Sequence, residues 1–378
     1  MRVCYFGTYR ASYVRNRLMI DRLLQQGVEV VECHESLWKG ITDRAEIASG
    51  GWTKPGFWWR VITTYIRLLF RYKEIGYYDI LLVGYPGQLD IFLAWLLSRL
   101  RGKPLVWDVL MSIYLIACER GIQHTNPFSV WLIHQVEHLV CHLPDLLLMD
   151  TPEYALWFQE NYHISPERIN LVPLGADDRV FIPMTDSRVN DGVFRCVYYG
   201  TFIPNHGVQV IIETARILSD YTDIQFDVIG EGPYKEKVMD LAQKYNLVNV
   251  QFYGWMDEAV IVQHMAKADI CLGTFGITPQ ALLTMQNKIH EGMAMAKPVV
   301  NGDSPVMRST LQHGKNIFLC ERENPQALAD AILALRENPE LRAFLAQQVY
   351  QTYLENFSME KLGKQLKHCL AREMTRRK

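Results

Sequence analysis

Among the eight cysteines of this 378-residue chain there is no C-x-x-C pair. Cys4, Cys33, Cys118, Cys141, Cys196, Cys271, Cys320 and Cys369 stand far apart, and several fall in runs that read as strands, as small buried hydrophobes do. This argues against a zinc ribbon or a disulfide framework and for a reducing, cytoplasmic setting. An excess of charge of one sign is also missing: 39 Lys and Arg face 41 Asp and Glu. No global field draws the chain to nucleic acid, and no nucleic-acid partner is expected. No apolar run reaches the ~18–20 residues needed to cross a bilayer; the longest candidate, "IFLAWLLSRL", is stopped by Arg99. The opening "MRVCYFG" reads directly as a strand, so no signal peptide is expected. Repeats and low-complexity segments are absent as well.

What is present is ordinary globular material, 49% hydrophobic and 21% charged, enough for a large core. At ~100–200 residues per domain the length suggests two domains. Strands are expected at "RVCYF", "VEVVEC", "DILLVG", "PLVWDV" and "DLLLMD", then at "FRCVYY", "QFDVI", "NVQFY", "DICLG", "KPVVN" and "NIFLC". Continuous apolar strands alternating with amphipathic segments indicate parallel sheets covered on both faces. The segment "LVPLGADDRVFIPMTDSRVNDG" breaks this rhythm, which places a boundary near 178–192. The expected division is 1–178 and 179–352, with a last helix, 353–378, crossing back to the first domain. Doubly wound domains take ligands beyond the C-terminal ends of their strands.

Two turns of the second domain suit phosphate. In "VYYGTFIPNHGVQVIIETARIL" a strand meets Gly200-Thr201, and a helix opens near Gly207 with Val208, Ile211, Ile212 and Ala215 as its apolar stripe. Free N–H groups and the dipole at such a helix start attract anions. "FDVIGEGPYKEKV" repeats the arrangement with Gly230 and Gly232, where glycine permits close approach of a ligand. Downstream, "TMQNKIHEGMAMAKPVV" sets Lys288 and Glu291 three apart, on one helical face. The plain alternative for that pair is an exposed ion pair worth about 0–1 kcal/mol.

Together these motifs, with "NVQFYGWM", "ADICLGTFG" and "HGKNIFLC", resemble retaining glycosyltransferase family 4 of the GT-B fold. The likeness runs along nearly the whole chain and is strongest from 194 to about 335. It implies two Rossmann-like domains, the second binding a nucleotide sugar and the first presenting a hydroxyl acceptor such as a glycan or a lipid-linked sugar. It implies no metal and no cofactor. By the same resemblance Glu291 accepts hydrogen bonds from the ribose hydroxyls, while Gly200, Thr201, Asn287 and Lys288 surround the pyrophosphate and sugar. Two departures stand out. The family's E-x₇-E has Leu283 at its first position here, and leucine accepts no hydrogen bond, so Lys288 is the candidate to replace it. The usual basic pair facing the phosphates is also missing, and Thr201 and His206 stand near those places. His206 is expected either to be protonated beside a dianion or to cap the helix. Leu283 also keeps open a non-catalytic nucleotide-binding partner subunit.

In the first domain the strand end "WDVLMS" offers Asp108 and Ser112 for the acceptor side. Asp108 is expected to orient the acceptor hydroxyl, with an N-cap as its plain alternative. Gly7 and Thr8 end the first strand and are candidates to face the donor; "GTYRASYVRNR" is not G-x-G-x-x-G, so dinucleotide binding is unsupported. A remote competitor is zinc peptidase chemistry: "HQVEH", His134 to His138 with His142 beyond, matches H-x-x-E-H, with Glu137 as base. Finally, residues 51–73 hold Lys54, Arg60, Arg67, Arg71 and Lys73, interleaved with aromatics and with no acidic residue. A helix there aligns Arg60, Thr64, Arg67 and Arg71 as a polar stripe, with Trp58, Ile62, Tyr65 and Leu69 on an apolar side. This predicts salt-sensitive peripheral binding to an anionic membrane surface, against an ordinary domain helix.

Overall fold

The computed structural model describes residues 1–38, 40–184 and 191–376. The chain forms two units, Met1–Leu174 with Glu360–Lys378, and Gly175–Met359. The division therefore lies at Leu174/Gly175 rather than 178/179. The last helix starts at Met359, after a separate Pro339–Asn356 helix, rather than at 353.

The first unit holds six parallel strands: β1 (Arg2–Gly7), β2 (Glu29–His34), β3 (Ile80–Val83), β4 (Leu105–Leu110), β5 (Leu146–Met149) and β6 (Ile169–Leu171), ordered β2-β1-β3-β4-β5-β6. The second holds β7 (Phe194–Tyr199), β8 (Ile224–Ile229), β9 (Val250–Tyr253), β10 (Ile270–Leu272), β11 (Val299–Gly302) and β12 (Phe318–Cys320), ordered β12-β11-β10-β7-β8-β9. Each run expected as a strand is one, and β6 is additional. It is three half-buried residues paired only to β5, too short to carry a pattern.

Both faces of each sheet are covered, as continuous apolar strands require. In β7, Cys196 and Tyr198 join one core with Phe226, Val228 and Leu328. Val197 and Tyr199 join the other, with Ile229, Ile289 and Met293. In the first unit Val3, Leu82, Val106 and Leu148 pack with Leu366 and Leu370 of the Met359–Arg376 helix.

The basic aromatic segment forms a one-turn Gly51–Thr53 helix and a Pro55–Glu74 helix. One position departs from the expected faces: Thr64 of the polar stripe is fully buried with Phe57 and Leu68, while Trp58 and Ile62 of the apolar side are exposed. Arg60 pairs with Asp43 at 3.0 Å, and Arg71 and Arg67 share Glu35 at 2.5 and 3.4 Å. The core claims the small Thr64 because a broad apolar face surrounds it.

Candidate active site

In the second unit β8 and β9 extend the sheet on one side of β7, and the chain then crosses to lay β10 on the other. The reversal leaves a switch point beyond the ends of β7 and β10, where doubly wound sheets take ligands. Gly200 follows β7 with φ +143, a conformation that only glycine adopts without strain. The loop makes a Pro204–His206 turn and enters the Val208–Ile217 helix. Across from it, the loop after β10 is held by hydrogen bonds to its neighbours. The Phe275 N–H donates to the His206 carbonyl (3.0 Å) and the Thr274 N–H to Asn301 Oδ1 (2.7 Å). The Thr274 hydroxyl donates to Gln286 Oε1 (3.1 Å).

From there the chain enters the Asn287–Ala294 helix, in which Ile289 and Met293 are core. Lys288 and Glu291 sit at the end of β7 and are 5% and 7% exposed, so the exposed-ion-pair reading fails. The Lys288 ammonium lies 4.0 Å from the centre of the Tyr198 ring and 3.5 Å from His206 Nδ1. A Cβ on Gly200 would come within 2.8 Å of it. Glu291 accepts a hydrogen bond from the Tyr199 hydroxyl. Burial pulls the Lys288 ammonium down to about 7, against the opposing pull of Glu291. Asn287 is the half-buried first residue of the helix, and Thr201 is half-buried in the loop.

His206 differs from both expectations. Burial, and then the Lys288 charge, hold its pKa well below the ordinary histidine value, so the imidazole is neutral in the ligand-free protein. Its Nδ1–H donates to the Thr201 carbonyl at 2.6 Å, and Gly207, not His206, occupies the helix cap. Gly232 is also corrected. The space its Cβ would need is filled by the Phe202 backbone, 2.6 Å away, so this glycine lets two turns pack on each other.

The acceptor-side candidates of the first unit are structural. Asp108 is fully buried in β4, and Arg15 donates to both its oxygens, with Nε at 2.9 and 3.2 Å and Nη2 at 2.8 Å. It neither caps a helix nor presents an oxygen to solvent. Ser112 caps the Ile113–Glu119 helix by accepting from the Leu115 N–H, and its hydroxyl donates to Glu137 at 2.5 Å. Glu137 also accepts from the Ile113 N–H (2.8 Å) and the Tyr162 hydroxyl (2.9 Å), fully buried. A carboxylate so engaged is no peptidase base. His134 and His138 lie 5.2 and 5.5 Å from the Tyr162 ring, centre to centre, and among the described residues no cluster is placed to hold a metal. Gly7 (φ +131) backs onto Asp90, which takes the Thr8 N–H at 2.8 Å and the Tyr65 hydroxyl at 2.6 Å. Sequence reasoning missed Tyr198 and Tyr199; the available signal was an aromatic pair ending a strand just before Gly200.

Two six-stranded, doubly wound parallel units in one chain make up the GT-B fold. Residues 193–338 match the family described as Glycosyl transferases group 1. An uncharacterized glycosyltransferase of Methanocaldococcus jannaschii is 28% identical over 165 residues, 44% of each chain; the chain thus spans less than half of that relative's length. Sucrose-phosphate synthase from Thermosynechococcus elongatus shares the fold at 14% identity, with a TM-score of 0.77 and all of both chains covered. The Anabaena Alr3699/HepE structure in complex with UDP-glucose does so at 15% identity, with a TM-score of 0.70 and 98% and 100% of the chains covered.

Proposed function

We propose that this chain moves a sugar from a nucleotide-activated donor to a hydroxyl of a glycan or a lipid-linked sugar, in the cytoplasm, with retention of anomeric configuration and without a metal. One observation carries the reading: a buried ammonium and a buried carboxylate, Lys288 and Glu291, on one turn of helix beside Gly200 at the switch point. A core gains nothing from an ammonium whose charged form burial disfavours. A diphosphate explains it, because the arriving anion restores the charged form. Glu291 accepts from the ribose hydroxyls, oriented by Tyr199. As the glycosidic bond to phosphate breaks, negative charge grows on the leaving oxygen, and the Lys288 ammonium stabilises it in a site shielded from water. That oxygen takes the proton of the incoming hydroxyl when the hydroxyl is held on the same face of the sugar as the departing phosphate, so the new bond forms where the old one breaks.

The UDP-glucose held by the Anabaena structure makes UDP the first nucleotide to try. The test is a thermal-shift screen of UDP, GDP, ADP and dTDP with their sugars, followed by an assay of nucleotide release. A ligand that binds only the native state raises its apparent stability. No shift with any nucleoside diphosphate would overturn the proposal. Leu283, half-buried at the end of the Pro279–Leu283 helix, favours the second reading, a partner subunit that binds nucleotide without turnover. A nucleotide-dependent shift with no release or transfer from any sugar donor would establish it.

A further inference from the structure

The connections from β2 to β3 and from β3 to β4 step across the first sheet in one direction. Right-handed crossovers therefore place the Pro55–Glu74 helix and the Asp90–Arg101 helix on the same face. They lie side by side: the Tyr65 hydroxyl donates to Asp90 at 2.6 Å, and the Arg101 guanidinium sits 4.6 Å from the centre of the Tyr72 ring. Trp59, Ile62, Ile66 and Phe70 recur every three or four residues along the outside of the first helix, 70%, 51%, 48% and 61% exposed. Trp95 and Leu100 continue the surface on the second, at 37% and 75%. Singly such residues are unremarkable; six on two adjoining helices make a patch of the kind that marks an interaction site.

The charge around the patch has one prevailing sign. No Asp or Glu occurs in 51–73 or 91–107. Arg67 and Arg71, with side chains 60% exposed, share the single carboxylate of Glu35, and the Lys73 ammonium lies 5.3 Å from the centre of the Phe70 ring. A second copy docked two-fold on this surface would set cations against cations. An anionic lipid surface complements both the charge and the aromatic rings, which favour the headgroup level.

We propose that this face rests on an anionic membrane, with Trp59, Phe70, Trp95 and Leu100 inserted and the cations at the rim. Apolar contact leads, because Arg60 and part of the Arg67–Arg71 charge are already neutralised, so salt weakens the binding only in part. The proposal is independent of the donor site, since flotation needs no nucleotide. The experiment floats the full chain with phosphatidylglycerol/phosphatidylcholine vesicles and with phosphatidylcholine alone, at about 0.1 and 0.5 M salt. It compares the Trp59→Ser/Leu100→Ser double variant with Val248→Ser, whose site in the second unit is 94% exposed. The native chain and Val248→Ser should float with the anionic vesicles and largely persist at high salt, and the double variant should bind about tenfold less. A native chain that stays unbound overturns the proposal, as does a double variant that floats equally well. So does a dimer in sedimentation that the double variant dissociates, because the face would then be a self-interface.

Discussion

Lys288→Met removes an ammonium while keeping the apolar stem, and it should act in opposite directions on stability and binding. The ordinary value of 10.5 falls to about 7 in the native protein. At about 1.4 kcal/mol per unit this corresponds to a native-state burden on the order of 4 kcal/mol at neutral pH. Between these two values the unfolded chain holds a proton that the native chain has lost, so native stability rises with pH there. Methionine has no proton to hold, so the variant should melt at a higher temperature than the native protein near pH 7, and the gap should close toward pH 10. Binding goes the other way. Losing a charge-assisted hydrogen bond, about 1.5–3 kcal/mol, weakens UDP roughly 10- to 150-fold and leaves uridine unaffected, because the nucleoside carries no phosphate. Scanning fluorimetry from pH 7 to pH 9.5 measures the first effect and titration calorimetry the second. A variant that melts lower without ligand, yet binds UDP as before, would make Lys288 a structural residue and sink the argument.

Glu291→Ala should abolish donor binding in calorimetry at about 1.5–3 kcal/mol per lost bond. Unchanged UDP affinity would refute the ribose assignment. Gly200→Ala should weaken UDP, because the new methyl displaces the Lys288 ammonium, and should also lower the melting temperature, because φ +143 strains alanine; an unchanged dissociation constant would remove Gly200 from the site. Asp108→Ala should cost about 3 kcal/mol in urea unfolding, because the buried Arg15 loses the carboxylate that takes its Nε and Nη2, with Asp150 offsetting part of the loss. The folded fraction should keep its kcat, and a selective loss of kcat would return Asp108 to the acceptor side. Once a transfer product is in hand, NMR should show the anomeric configuration of the donor, and an inverted linkage would rule out retention.

The strands were legible because a strand buried on both faces is a plain run of Val, Leu, Ile and aromatics, and β7 through β12 announce themselves in this way. β6 was not, since three residues at a sheet edge carry no pattern. Lys288 and Glu291 were legible through their three-residue spacing on one helix and Gly200 through its strand-end turn, which local geometry preserves; that they meet was implied only by the family resemblance. Asp108 and Ser112 were misread for one reason: each is a polar residue at or just beyond a strand end. What decides its role is a partner dozens of residues away, Arg15 for the first and Glu137 for the second. Tyr198 and Tyr199 went unnoticed because a strand tyrosine reads as core until the group meeting its ring or hydroxyl is known. The Pro55–Glu74 helix was legible as amphipathic, but not which residues it buries, because periodicity gives two faces without saying which one the sheet takes.

The Met359–Arg376 helix supplies Leu366, Cys369 and Leu370 to a core whose other buried members come from the first 172 residues. On the ribosome the first unit is therefore made early and completed late. Its sheet emerges before the second unit has been synthesised, yet one apolar surface stays bare until Leu370 clears the exit tunnel. The second unit has all of its strands by Cys320 and can close first. A nascent or prematurely terminated chain should thus expose sticky surface near its beginning, where a chaperone would find it, while the second unit behind it is already folded.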